Sequence, residues 1–486
     1  MKKILSKGHF MKKTLLSLLI GFGLTAPLLA DDLSQVYQLA LENDPVINRA
    51  KADKELAYSG VPLSRANLLP QISGSVSYSL NSGDQIVTNT DNVGNPIFGT
   101  INSESDTLSM GLDLRMSIYD HANWVGMDRA EKVAQQGDAN LASALQLLIV
   151  RVTNAYLSVL REQDNVEFVK AELRAIERQL EQTKQRFEVG LTAITDVHEA
   201  QANFDNTVAR QIRAENQREL RLEELREITG KYHKNISVLD TELFSATVPN
   251  PANVDDWLKL SEESNFDLLI QRFAKDIAME DIESARAGHY PTVSLTASLG
   301  SRDTSNTAPR TFAVPATDPN FDPANPFVTR DVTNNFPTQN SQSMTLAVNV
   351  PIYSGGRVST NTDQARSRYV VASENLELAH RQTVRSVRSS YNDVKAAVST
   401  IRALEQSVVS ADSALKATEA GFDVGTRTIV DVLNSTRNLF DARRNLADAR
   451  YNFVSAIINL KRAAGTLTED DLIAINRVMK PGQQAQ

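Results

Sequence analysis

"RFEVGLTAITDV" spans Arg186–Val197, and "GFDVGTRTIVDV" spans Gly421–Val432. The two phrases lie 235 residues apart, and each ends one very long polar stretch and opens another. At this offset Phe187, Val189, Gly190, Ile194, Asp196 and Val197 meet Phe422, Val424, Gly425, Ile429, Asp431 and Val432. The match runs outward to Tyr156 with Tyr391 and to Gly230 with Gly465. Earlier, "LLPQISGSVSYSL" (Leu68–Leu80) parallels "HYPTVSLTASLG" (His289–Gly300), and "SMGLDLRMSIYD" parallels "SMTLAVNVPIYS". The offset there is shorter, which puts insertions in loops. Two copies of this length read as one duplicated half, 31–250 and 251–486, and not as a solenoid of three or more short repeats.

The stretches that meet at each phrase predict helices. Ala122–Val189 and Arg357–Val424 are each 68 residues without a proline, rich in Ala, Glu, Gln, Arg, Leu and Ser. Apolar residues recur in them at three- and four-residue spacing. At 1.5 Å per residue each is roughly 100 Å long, far beyond a globular helix and in the range of coiled coils or helical repeats. Thr192–Gly230 and Arg427–Gly465 predict return helices of 39 residues, roughly 60 Å by the same rise. Ser34–Ala66 and Val254–Ala287 predict two further helices. Gly190 and Gly425 stop the long helices, because glycine readily takes the left-handed conformation at a helix C-terminus. Thr428-Ile-Val-Asp431 resembles a capping box with Asp in place of Glu. Each phrase is therefore the tip of an antiparallel helical hairpin.

Each half also holds two stretches of strict alternation, at 71–80 and 107–119 and again at 292–300 and 343–353. Ile72, Gly74, Val76, Tyr78 and Leu80 alternate with Gln71, Ser73, Ser75, Ser77 and Ser79. Leu108, Met110, Leu112, Leu114, Met116 and Ile118 do the same, as do Val293–Leu299 and Met344–Ile352. Period two marks strands with one apolar face, and the length fits both a soluble sheet and a membrane-spanning strand of about 9–11 residues. Asn81–Asp106 and Ser301–Gln342, rich in Asn, Asp, Ser, Thr, Gly and Pro, read as long loops, the pattern of outer-membrane barrels. Four strands cannot close a barrel, because the smallest membrane barrels have eight and no open edge stands in lipid. Membrane strands therefore require several copies of the chain. A dimer, trimer or tetramer remains open on composition alone.

At the start, "MKKTLLSLLIGFGLTAPLLADD" reads as a secretory signal peptide, with an apolar core from Leu15 to Leu24 and a cut after Ala30. Met11 begins a self-sufficient signal, and Met1–Phe10 precede it. No other run reads as a membrane-spanning helix. The net charge of −8 falls to −13 once the five lysines of residues 1–30 are removed. That balance argues against nucleic acid, whose phosphates require clustered Lys and Arg. The absence of cysteine excludes disulfides, cysteine-ligated metals, thiol nucleophiles and lipidation after the signal. The six histidines form no pair at metal spacing, and no phosphate loop, nucleophile elbow or zinc motif appears. Enzyme chemistry and cofactors are not expected.

Asp431, Asn434, Asn438, Asp441, Asn445, Asp448 and Asn452 follow spacings of 3, 4, 3, 4, 3 and 4, a continuous polar stripe on one helix face. Asp196, Glu199, Asn203 and Asn206 mark it in the first half. Such a stripe suits a solvated outer face or the wall of a water-filled bore.

The duplicated strand–loop–strand–helix plan, "RFEVGLTAITDV", "VGTRTIVDVL" and "LAHRQTVRSVRSSYNDV" (Leu378–Val394) resemble the TolC family of outer-membrane efflux channels over nearly the whole mature chain. The resemblance implies a membrane α+β fold. Three chains share one 12-stranded β-barrel, four strands each, which continues as a tapering periplasmic α-helical tunnel. A mixed equatorial region near the chain ends and Asn235–Leu260 girdles it. A periplasmic membrane-fusion adaptor and an inner-membrane pump of RND, ABC or MFS type recruit the homotrimer. The cargo implied is drugs, detergents and, in some systems, secreted proteins by type I secretion. A coiled-coil spacer anchored by strands, or an outlet dedicated to one secreted protein, are the competing readings.

Within that resemblance Asp431 faces the bore at its narrowest point, where three carboxylates attract cations. Asn434 stands where a second aspartate is expected, so that ring is neutral. Arg427, Thr195 and Asp196 match tip residues that hold neighbouring hairpins closed. Phe422 replaces a tyrosine that would donate a hydrogen bond, so one link of that lock is absent or replaced. Gly190, Leu191, Gly425 and Thr426 match the positions that receive the adaptor's hairpin tips. Ordinary helix-end chemistry accounts for the same aspartates and glycines.

Overall fold

The computed structural model describes residues 31–90, 96–313, 315–317, 319, 321–324 and 327–480. The expected signal peptide at 1–30 lies outside them. Helices α1 (Leu33–Asn43) and α2 (Pro45–Ala66) lead into strands β1 (Gln71–Thr90) and β2 (Pro96–Tyr119), then α3 (His121–Glu188) and α4 (Ile194–Thr229). After the short β3 (Val238–Leu239), the order recurs. Helices α5 (Val254–Ser264) and α6 (Phe266–Arg286) precede strands β4 (Thr292–Ala313), β5 (Phe327–Asn335) and β6 (Gln339–Asn349), then α7 (Arg357–Asp423) and α8 (Ile429–Ala463). Helix α9 (Glu469–Asn476) and β7 (Met479–Lys480) follow.

Local chemistry sets the joints. The Asp44 carboxylate accepts the Val46 N–H, with Pro45 in the first turn of α2, where proline's missing donor costs nothing. Asp120 caps α3 by accepting the Ala122 N–H at 3.0 Å. Helix α3 then runs unbroken for 68 residues and α7 for 67, each roughly 100 Å long. One 18-residue window of α3 has a mean hydropathy of 1.4 and is long and apolar enough to cross a membrane. That apolarity was not anticipated as a spanning signal, and 56% of the window is buried inside the fold, so it serves as core.

The large sheet runs β1–β2–β4, with β5 and β6 both paired to β4. They form one broken edge strand: Ser305 pairs with Asn335 and Arg302 with Gln339, a shift of one residue across Phe336–Thr338. Pro337 within the break has no N–H to give the ladder. The register puts Ile72 opposite Leu114, Val76 opposite Met110, Leu112 opposite Leu299, and Leu295 opposite Leu346. One face is thus continuously apolar, while Ser73–Asp113 and Ser298–Ser343 lie on the other.

The expected loops at 81–106 and 301–342 are mostly strand. The β1–β2 ladder continues to Thr90–Pro96, and β4 continues to Ala313. Polar composition misled because the backbone ladder is indifferent to it, and Ser and Thr side chains pair across it: Thr107 with Thr304 at 3.3 Å, Thr307 with Thr333 at 2.8 Å. A 24-residue strand such as β2 is roughly 80 Å long, more than twice a bilayer's hydrocarbon core of about 30 Å. The strand expected at 343–353 instead occupies Gln339–Asn349. Pro351 ends the ladder, although the apolar alternation runs on to Ile352.

Strands β1 and β6 each have one unpaired edge among the described residues. Large apolar side chains on both lie open, with Ile72 70% exposed and Met344 76%.

The main core lies midway along the long helices, where α1, α9 and the β3–β7 pair pack on the middle of α3 and the C-terminal half of α8. Tyr37, Tyr156, Leu160, Leu225, Ile458 and Leu460 are buried there. The Tyr156 hydroxyl donates to the Ser237 carbonyl at 2.7 Å, and the Gln146 amide donates to the Gly465 and Leu467 carbonyls, both at 3.0 Å. The first and last described segments and the link between halves therefore share one cluster.

The apolar face gives a direct test. Leu112→Arg is expected to destabilise the membrane sheet by about 2–4 kcal/mol, while Asp113→Arg on the opposite face leaves it nearly unchanged. Urea unfolding midpoints in lipid vesicles measure both.

Candidate functional site at the hairpin tips

Both long helices end in the same turn. Val189 and Val424 are the C-cap residues, and Gly190 and Gly425 follow at φ +78° and +77°. Leu191 N–H donates to the Arg186 carbonyl at 2.8 Å, and Gly190 N–H to the Phe422-equivalent carbonyl of Phe187 at 2.9 Å. In the second half Thr426 N–H reaches the Gly421 carbonyl at 2.8 Å and Gly425 N–H the Phe422 carbonyl at 3.0 Å. This is the Schellman arrangement, with helix-end carbonyls satisfied by the two residues beyond the cap. A Cβ on either glycine would meet open space. The positive φ, not packing, demands glycine there.

The return helices start differently. Helix α8 has a full capping box. Asp431 N–H donates to Thr428 Oγ1 at 3.3 Å, while the Thr428 amide and hydroxyl both donate to Asp431 Oδ2 at 3.0 Å. The Thr428 amide, its hydroxyl and the nearby Arg427 charge hold the Asp431 carboxyl below the usual carboxylate range. Helix α4 is capped by Ala193 without a side-chain bond, and the Thr192 hydroxyl donates to Asp196 instead.

Behind the turns sits a small apolar knot of Ile176, Phe422, Ile429, Val432 and Leu433, with Phe204 and Leu415 against it. It joins the second hairpin to the first. Phe422, where one link of the lock is expected to be absent or replaced, is buried, with the Arg186 guanidinium 4.6 Å from its ring centroid. Arg186 also meets Asp423, with Nη2 donating to its carbonyl at 3.2 Å. Nothing in the spacing singled out Arg186, although it opens the first repeated phrase. The one signal was the missing tyrosine hydroxyl at Phe422.

The structure brings Arg427, Thr428 and Asp431 together, and separately Thr192 with Asp196. Within one chain, and among the described residues, Arg427 forms no hydrogen bond or ion pair with Thr195 or Asp196. Thr195, Leu191, Thr426, Arg427 and Asn434 are exposed.

The polar stripe is only partly open. Asn434, Asn438, Asn445 and Asn452 are exposed, whereas Asp448 is half-buried against Arg161 of α3 at 3.1 Å, and Arg161 also donates to Asn452 at 2.7 Å. Burial pushes the Asp448 carboxyl above its ordinary range. The end of the stripe nearest the main core is thus a seam between helices. In the first half Asn203 accepts from Arg437 of α8 at 3.1 Å.

This arrangement, a four-strand sheet with open edges at one end and paired helical hairpins at the other, matches a known family plan. The model described as "Outer membrane efflux protein" matches residues 36–231 and 257–466. The chain belongs to the outer membrane efflux protein family. A relative, the outer membrane protein TolC of Vibrio cholerae serotype O1, is 40% identical over 459 residues, 94% of this chain and 96% of its own length. The alkaline protease secretion protein AprF of Pseudomonas aeruginosa is 29% identical over 440 residues, 90% of this chain and 85% of its own length. Among solved structures, the Campylobacter jejuni CmeC outer membrane channel superposes with a TM-score of 0.68 at 15% identity, covering 92% of this chain and 90% of that one.

As an outer membrane efflux protein the chain is a channel in the outer membrane of a Gram-negative cell and not an enzyme. Its fold is the membrane α+β plan: a shared trimeric 12-stranded β-barrel, four strands per chain, continued by a long periplasmic helical tunnel. The exposed edges of β1 and β6 are where copies join.

Thr428→Ala is expected to remove about 1 kcal/mol of helix-end stability and to raise the Asp431 pKa towards its ordinary value. A carboxyl depressed in the folded state stabilises at pH above its unfolded pKa, and the effect is lost as pH falls through the folded one. Acid titration of the Asp431 carboxyl by NMR should therefore show protonation beginning at higher pH in the variant.

Proposed function

We propose that the hairpin tips form the closed periplasmic aperture of this exit duct. Three copies of Asp431 make a ring of carboxylates at its narrowest point. The carrying observation is the position of Asp431 at the first turn of α8, partly open beside buried Val432 and Leu433, with Asn434 and Asn438 exposed above it. The capping box supports the reading. Carboxylates brought close together raise one another's pKa, and the Thr428 bonds oppose that shift and keep Asp431 ionised. Asn434 makes a neutral second ring, so cation affinity at the aperture rests on Asp431 alone.

Arg427, Thr195 and Asp196 hold neighbouring copies together at the tips. Arg427 and Thr195 are exposed and unengaged with one another inside the chain, which leaves them available for that contact. Phe422 belongs to the knot behind the aperture. The four exposed turn residues Gly190, Leu191, Gly425 and Thr426 receive the hairpin tips of a periplasmic membrane-fusion adaptor. An inner-membrane pump of the RND, ABC or MFS type supplies the energy, since the chain carries no nucleotide motif. The cargo is drugs and detergents. The protease-secretion relative extends it to secreted proteins.

Block of ion current by multivalent cations across a planar bilayer tests the ring. Asp431→Ala is expected to weaken block at least tenfold in the half-blocking concentration. An unchanged value in the variant refutes the assignment.

A further inference from the structure

Beside the β3–β7 strand pair, α3, α4 and α8 enclose a cavity of about 770 Å3. That falls in the range of small-molecule sites, about 300–1,000 Å3. Val166, Leu239, Leu446 and Ala447 give it an apolar wall. It lies apart from the polar stripe. On α8 it is lined by Arg443, Leu446, Ala447 and Arg450. Each of these is two residues from a stripe position, and so about 200° around the helix from it.

Two guanidiniums at this cavity form no hydrogen bond among the described residues. Arg450 is the deeper, with its side chain 18% exposed and its Nε buried without a partner. Its ion pair with Glu405 of α7 is 3.8 Å long, beyond hydrogen-bond reach, and Glu405 is 53% exposed. Arg443 is 3.8 Å from Asp412, which already takes Lys416 at 2.8 Å. Open pairs of this length contribute little. Buried donors are normally satisfied, so Arg450 calls for an acceptor that the chain does not supply.

The acids at the cavity wall do not supply it. Asp164 accepts from the Tyr451 hydroxyl at 2.6 Å. Burial pushes the Asp164 carboxyl above its ordinary range, with the Tyr451 bond opposing that shift. Glu167 is exposed. The other cations of the wall, Arg218 and Lys480, are answered by Glu219 at 2.6 Å and Asp240 at 3.5 Å.

The hairpin plan does not demand this pair of arginines. At the repeat's offset of 235 residues, Arg443 and Arg450 meet Val208 and Glu215. Glu215 is paired with Lys170 at 3.2 Å. The guanidiniums thus belong to the second half alone, where the cavity is.

We propose that this cavity is a binding site for a small amphipathic organic anion. Its carboxylate or sulfonate seats on Arg450, with Arg443 at the mouth, and its apolar body lies against Val166, Leu239 and Leu446. Charge-assisted hydrogen bonds to the anion satisfy the orphaned guanidinium. The ligand touches α3 from one half of the duplication and α8 from the other. The site lies across α8 from Asp431 and the stripe, so it neither uses nor requires the gate.

Isothermal titration of the full-length trimer in zwitterionic lipid nanodiscs tests the site, with empty nanodiscs as the blank. The probe is 2-naphthalenesulfonate, and neutral 2-naphthalenemethanol is its control. The parent is expected to bind one sulfonate per chain and to bind the alcohol at least tenfold more weakly. Arg450→Gln should weaken sulfonate binding at least tenfold and leave the alcohol unchanged. Arg443→Gln, at the mouth, should weaken it about threefold. Ala447→Trp fills the cavity and should abolish binding. If Arg450→Gln does not assemble, Arg443→Gln and Ala447→Trp decide. Absence of saturable sulfonate binding in the parent overturns the proposal. So does equal affinity for the alcohol, and so does parent-like affinity in these variants.

Discussion

A strand edge carries a row of backbone N–H and C=O groups, and hydrocarbon offers them no partner. The lone chain presents two such edges, on β1 and on the broken strand β5–β6. Other copies must cover them, and joining edge to edge around a closed barrel also fixes how the helices meet. Helix α7 leaves apolar side chains open: Val370 is 57% exposed and Val371 60%. Leu56 and Leu63 on α2 are 72% exposed each. Helices of neighbouring copies in a shared tunnel would cover side chains such as these. The tunnel therefore follows from a requirement imposed in the membrane.

The two halves share a plan and differ where function would need them to. Their turns are built alike, down to the two hydrogen bonds that close each one. The residues around the turns have diverged. Helix α8 begins in a capping box and α4 does not. Arginine at 186 faces glycine at 421, and the space left by that glycine is taken by Arg427. The turns keep nearly the same backbone while the side chains around them differ.

Charge is handled in the same divided manner. Glu172 is buried inside the first hairpin and takes both arms of Arg210, at 2.6 and 3.1 Å. A paired charge of this kind holds α3 and α4 in register, because losing Arg210 would strand Glu172 in the core. Near the tips the charges are more open: Arg427 is exposed, and Asp423 meets Arg186 with its side chain 63% exposed. Rigidity belongs to the shaft of the hairpin and adjustability to its end.

Much of this was legible in the residues. The repeated phrase located both turns, Gly190 and Gly425 stopped both helices, and strict alternation located the strands, because these signals are local: a φ angle, a missing N–H, a period of two. The extent of the strands was not legible. Asn81–Asp106 looked like loop because composition reports side-chain polarity, whereas a ladder is decided by whether a partner backbone lies alongside. The polar stripe of α8 looked uniform, but Arg161 approaches from another helix and claims Asp448 and Asn452. Arg186 was one arginine among many until the fold set it over Phe422. Helix ends, strand period and duplication were determined by the sequence alone, since each depends on neighbours along the chain. Which polar groups stay open, and which side chain grips which hairpin, was decided by the tertiary structure, since those depend on residues more than 200 positions apart meeting in space.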